Sequence, residues 1–189
     1  MAFAIASRID RASARRVLPR RPVLRTLVAL GVLGCASAAN ADIIQIAGPA
    51  FFEQCPCGQE PAGEVSNGVL VTQGTNATYF AAVPFRDAGL RVCSFSLVYR
   101  DANNDDAMTA RLLRKRYAVG DDAFAKPVVM AKVTSSGKQG DIRIASTKDI
   151  KSPKLDLNNS FYYVEVDVVT FNLDLLGVKI DARPSCPAP

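Results

Sequence analysis

Asp101-Ala102-Asn103-Asn104-Asp105-Asp106 is the stretch whose residue types and spacing come nearest to a metal-binding loop. Asp101, Asn103 and Asp105 alternate as the first oxygen ligands of a calcium loop do, and calcium favours such hard donors. The match then stops. Asp106 stands at the sixth position, where an EF-hand needs Gly, and Leu112 stands where its bidentate Glu should be. A solvated turn accounts for the same residues, because Asp and Asn side chains bond their own backbone in turns. Calcium is thus the one cofactor in question, with Asp101, Asn103 and Asp105 as its candidate ligands.

The chain has no His and no Trp. That removes every Ser-His-Asp or Cys-His catalytic arrangement and every zinc site that needs imidazole. A glycoside hydrolase built on two carboxylates remains as an alternative, since it needs only a pair about 5–9 Å apart. Asp121-Asp122, after Gly120, could supply one member. No catalytic motif is recognisable, so the reading is that of a non-enzyme.

Two groups could bind a ligand. Tyr79, Tyr99, Tyr117, Tyr162 and Tyr163 either line a core with the hydroxyl at its edge or stack on sugar rings from an exposed face. Tyr163 alternates with Glu165 and Asp167, which makes it the best exposed aromatic candidate. Arg111, Arg114, Lys115 and Arg116 form a basic stretch that strand alternation divides, Arg111 and Lys115 on one face, Arg114 and Arg116 on the other. It could meet an acidic polysaccharide, lipopolysaccharide or a protein. Charges in such a strand also protect a sheet edge from unwanted pairing. Asn76-Ala77-Thr78 matches a glycosylation sequon, a pattern short enough to arise by chance.

The first 41 residues read as an export signal. Seven arginines crowd Arg8 to Arg25, an apolar run follows from Leu27 to Gly34, and small residues end in Ala39-Asn40-Ala41. That is the charged, apolar, small-residue order of a cleavable secretory signal. The apolar run is about half of the roughly 20 residues that span a bilayer, so no transmembrane anchor is expected after cleavage. Arg20-Arg21-Pro22-Val23-Leu24-Arg25 partly resembles a twin-arginine signal. Val32-Leu33-Gly34-Cys35 partly resembles a lipoprotein site, but Leu33 is bulky where such sites carry a small residue.

Removal of this segment changes the charge balance. It holds 7 of the 23 Lys and Arg and 1 of the 18 Asp and Glu, which leaves 16 against 17 and a net of −1. The basic character of the whole chain therefore belongs to the signal, and a nucleic-acid partner is not expected. Cys35 leaves with it, so Cys55, Cys57, Cys93 and Cys186 remain, an even number that predicts two disulfides in an exported chain. Only Pro56 separates Cys55 from Cys57, and a bridge across that gap would be strained. Each is expected to pair with one of Cys93 and Cys186, in an order left open. The closed loops would span about 36 to 131 residues, for roughly 3.5–5 kcal/mol per bridge.

The elements that must position these residues are strands. Alternation with frequent turn residues dominates, and no helix of useful length stands out. Leu90 to Arg100 is one strand, with Phe95, Leu97 and Tyr99 on one face. Tyr79 to Phe85 precedes it, and Met108 to Tyr117 and Val128 to Val133 follow. Asp141 to Ala145 is short, with Ile142 and Ile144 in register. Phe161 to Phe171 points Tyr162, Val164, Val166 and Val168 inward. Leu176, Val178 and Ile180 make the last strand, and Ile43 to Ala47 and Val69 to Thr72 are further candidates. Eight or nine short strands with polar turns predict an all-β antiparallel β-sandwich, jelly-roll-like, with a closed β-barrel as the alternative. The charged outward faces argue against a transmembrane barrel, where lipid demands apolar side chains. The expected organisation is a signal over 1–41, an irregular Cys/Pro/Gly-rich segment over 42–68, whose Gly- and Pro-rich stretch runs from Gly48 to Gly68, and the sandwich over 69–189.

From Tyr79 to Asp181 the chain resembles a loose group of uncharacterised exported bacterial β-sandwich proteins. The cues are Tyr99-Arg100-Asp101, Ser135-Ser136-Gly137, Tyr162-Tyr163-Val164-Glu165-Val166 and Gly177-Val178-Lys179-Ile180. The resemblance implies an extracellular sandwich and carries over no catalytic residue. The expectation is an exported, non-catalytic protein, periplasmic or extracellular, that binds or scaffolds at the cell surface. Its ligand would be a glycan or a protein. A structural subunit that assembles by strand addition is a further alternative.

Overall fold

The computed structural model describes residues 41–54, 63–72, 76–101, 108–117, 126–136, 139–169 and 173–188. Eleven strands are found among them, all paired antiparallel in two sheets. The first sheet runs β3 (Gly63–Ser66), β4 (Val69–Thr72), β11 (Leu173–Arg183), β6 (Arg91–Asp101), β9 (Gln139–Thr147), with β1 (Asp42–Ala47) also on β11. The second runs β2 (Phe52–Glu53), β5 (Ala77–Ala82), β10 (Ser160–Val168), β7 (Met108–Arg116), β8 (Val128–Thr134). No described strand pairs across the two sheets, so the expected sandwich is present and the closed barrel is not.

Alternation is the cause of the layering. In β10, Tyr162, Val164, Val166 and Val168 are buried while Phe161, Tyr163, Glu165 and Asp167 are not. Phe95, Leu97 and Tyr99 of β6 face the same core as Leu112 of β7 and Leu175 and Ile180 of β11. Fully burying each such side chain stabilises the fold by roughly 1.5–3 kcal/mol. Tyr99 also ties a loop to this core. Its hydroxyl donates to the Ser136 carbonyl and accepts from the Ser136 N–H, both at 2.9 Å.

One edge of β11 is shared. β6 occupies the other edge along the strand's length, while β4 takes Asp174 and Leu175 and β1 takes Gly177 to Ala182. The handover needs glycine. Gly177 has φ +151°, and a Cβ there would lie 2.3 Å from the Ile46 carbonyl oxygen. A register shift between Leu175 and Gly177 accompanies it. The shift also changes the alternation along the expected last strand of Leu176, Val178 and Ile180. Leu176 leaves the core, and Leu173 and Leu175 occupy it with Val178 and Ile180.

Other expectations need correction. Cys93 is bonded to Cys186, with Cα atoms 5.2 Å apart, rather than to Cys55 or Cys57. The register explains this. Arg183 pairs with Arg91 and Ala182 with Val92, so the tail beyond β11 returns past Cys93. Cys55 and Cys57 lie outside the described residues, and among the described residues one disulfide is seen instead of two. The Gly48–Gly68 stretch, expected to be irregular, contains a 3₁₀ turn at Gly48–Ala50 and strands β2 and β3. β7, read as a protected edge, lies between β10 and β8. Ile142 and Ile144 are in register with Arg100 and Val98, and are 63% and 66% exposed.

Candidate functional site

The outer face of the second sheet collects the exposed aromatics. Phe52 pairs with Phe80 across β2 and β5, and their ring centroids are 6.4 Å apart. Phe80 is the diagonal neighbour of Tyr163, at 6.1 Å. Phe161, two residues before Tyr163 on the same face, stacks on Tyr117 at 4.3 Å. Leu113 of β7 is buried beside Tyr163, and Val129 of β8, in register with it, is exposed. Phe52 and Phe161 are 64% and 63% exposed, a state that large apolar side chains rarely share with several neighbours unless the patch is functional.

A polar cluster borders these rings. Arg111 stands in register with Glu165, and its Nη1 donates to Glu165 Oε1 at 2.8 Å and to Asp167 Oδ2. Thr78 Oγ1 donates to the other Asp167 oxygen at 2.9 Å. Burial acts to lower the Arg111 pKa, but the hydrogen bonds and charges of Asp167 and Glu165 outweigh it and the net shift is upward. Burial and the nearby Glu165 charge both raise the Tyr163 pKa, so its phenol is neutral and able to donate a hydrogen bond. The face therefore offers flat apolar rings beside fixed hydrogen-bonding groups.

The expected site residues separate. Tyr163 and Arg111 meet on this face, and Lys115 joins them in register with Phe161. Arg114 and Arg116 fall on the opposite side of β7, in register with Tyr162 and Ser160. Arg116 is exposed. Asp101 closes β6 and is buried. Asn103 and Asp105 lie outside the described residues, as do Asp121 and Asp122. Among the described residues no three His, Cys, Asp or Glu side chains group closely enough to hold a metal ion.

Sequence reasoning missed Phe52, Phe80, Phe161 and Tyr117 as members of one surface. Phe161 was within reach, because it shares the alternation of Tyr163, Glu165 and Asp167. Phe52 carried no such signal, since β2 has two residues and no period.

No protein-family model and no curated protein matches the chain. Among solved structures, it is similar to the CBM36-1 domain of a multidomain xylanase from the hindgut metagenome of Trinervitermes trinervoides. The identity is 16% and the TM-score 0.41, over 79% of this chain and 100% of that one. It is also similar to Eiger TNF from S. frugiperda, at 8% identity and TM-score 0.31, over 78% of this chain and 88% of that one. Among the described residues no helix is long and apolar enough to cross a membrane.

Proposed function

We propose that the protein is a non-catalytic binding module that takes a glycan across the outer face of its five-stranded sheet. The observation that carries this reading is the Phe52–Phe80–Tyr163 run with the Phe161–Tyr117 stack beside it. Sugar rings present apolar C–H faces that pack on aromatic rings, and hydroxyls that need hydrogen-bond partners at the rim. Arg111, Glu165 and Asp167 supply those partners. The two carboxylates are both held by one guanidinium, which favours a binding role for them over acid–base chemistry. The disulfide and the signal-like opening support a protein acting outside the cytoplasm, because such bonds persist in oxidising compartments.

The test is affinity electrophoresis of the purified protein through a panel of soluble polysaccharides. Retardation by one of them is expected, with Tyr163→Ala and Phe52→Ala each weakening it by about tenfold, near 1.4 kcal/mol. Retardation equal to wild type in both folded variants, or no retardation by any polysaccharide, refutes the reading.

A further inference from the structure

The second basic group lies elsewhere. A cleft of about 580 Å³ is lined by Ala88, Arg91, Arg114, Lys154, Leu155 and Asp156, among others. Three cations and one carboxylate thus line a single concavity. Among the described residues none of the three cations has a carboxylate within ion-pairing distance, and Arg114 Nε is buried without a hydrogen-bond partner. Asp156 is not paired with them, since its oxygens accept from Asn159 Nδ2 at 3.2 and 3.4 Å, and its charge still leaves the lining with an excess of cations, three against one.

The wall of this cleft is built in place. Val92 N–H donates to the Pro153 carbonyl at 2.9 Å, and Leu155 N–H to the Leu90 carbonyl at 3.0 Å. Lys154 is bridged to Arg91 through the backbone, and Asp156 N–H donates to the Tyr162 hydroxyl at 2.7 Å. Tyr162 is itself wedged edge-on against Phe85. The segment carrying Lys154 and Asp156 is therefore held against β6 and β10 without any ligand. A rigid wall holds three like charges around one concavity, and their mutual repulsion is relieved by an anion seated among them.

We propose that this cleft binds an oxyanion group, a carboxylate, sulfate or phosphate, with Arg114 and Arg91 as donors and Lys154 as a third positive charge. The site is separate from the aromatic face and goes beyond the reading of that face. Leu155 and Ala88 give the bound group an apolar flank, so an anion carried on a carbon skeleton fits as well as a free one. Guanidinium groups suit this task because their planar donors match two oxygens of one anion at once.

The test is the thermal midpoint of the purified full chain in sodium phosphate, sodium sulfate or tetragalacturonate, each against sodium chloride at equal ionic strength. A binder raises the midpoint in proportion to the logarithm of its concentration. A rise with inorganic phosphate or sulfate identifies a free ion. A rise with tetragalacturonate alone identifies a sugar-borne carboxylate. Either supports the site when Lys154→Gln weakens it, whereas a rise undiminished in that variant comes from general salt exclusion or from the aromatic face. Arg114→Gln and Lys154→Gln are each expected to weaken the apparent affinity about tenfold or more. Lys154 is exposed, so its variant reports on binding even if Arg114→Gln unfolds. Equal midpoints in all four salts, or affinity unaltered in Lys154→Gln, overturns the proposal.

Discussion

Replacing both Cys93 and Cys186 by Ala removes a cross-link between residues 93 apart in sequence. For a closed loop of that length the chain-entropy treatment gives about 4.6 kcal/mol of lost stability. The packing contribution is small beside this. Cys186 is exposed and Cys93 sits at the margin of the core. The native strands that flank the bond stay paired, because β11 is held by both β6 and β1. The effect thus acts through the unfolded chain, which becomes more expanded. Guanidinium unfolding of the two proteins, followed by tyrosine fluorescence since there is no Trp, measures it. The expected result is a loss of about 3–5 kcal/mol with a steeper dependence on denaturant, because more surface is exposed on unfolding. A loss below about 1 kcal/mol, or peptide mapping that joins Cys93 to Cys55 or Cys57, refutes the reasoning.

Gly177→Ala is expected to cost at least about 3 kcal/mol, since it adds backbone strain and a clash with the Ile46 carbonyl oxygen. Gly68→Ala, at φ +78° with no atom near its Cβ position, should cost only about 1–2 kcal/mol, and equal losses would contradict the handover geometry. Tyr79 has a buried hydroxyl without a hydrogen-bond partner among the described residues, and burial, then Glu53, pushes its pKa from 10.0 up to about 12. The folded state favours the neutral phenol, so this contribution to stability is whole below pH 10 and is lost as pH rises through about 12. Tyr79→Phe should flatten the alkaline limb of a stability–pH curve at little cost near neutrality, and an unchanged limb would rule Tyr79 out as its source.

Much of the scaffold was legible because one period governs it. Any strand with one face on a core repeats every two residues, and β10 obeys this from end to end, as β6 does from Phe95 to Arg100. The division of Arg111 and Lys115 from Arg114 and Arg116 follows from the same rule, and so does the outward position of Tyr163. β2 and β3 are too short to show a period, which is why the Gly48–Gly68 stretch read as irregular. Ile142 and Ile144 show a different limit of the same rule. Their alternation was visible, but alternation does not say which face is buried, and pairing with Val98 and Arg100 turned them outward.

By itself, then, the sequence determined the strand class of the chain, the inward set of β10 and the absence of imidazole chemistry. These depend on residue type and local spacing alone. The tertiary structure decided which strands are neighbours. That choice brought Cys93 to Cys186 and placed β7 inside a sheet instead of at its edge. It also laid Phe52 beside Phe80, and set Arg114 in one cleft with Arg91 and Lys154. Each of these is a contact between residues far apart in the chain. Such contacts are selected by the packing of the whole core, and no short window of sequence contains them.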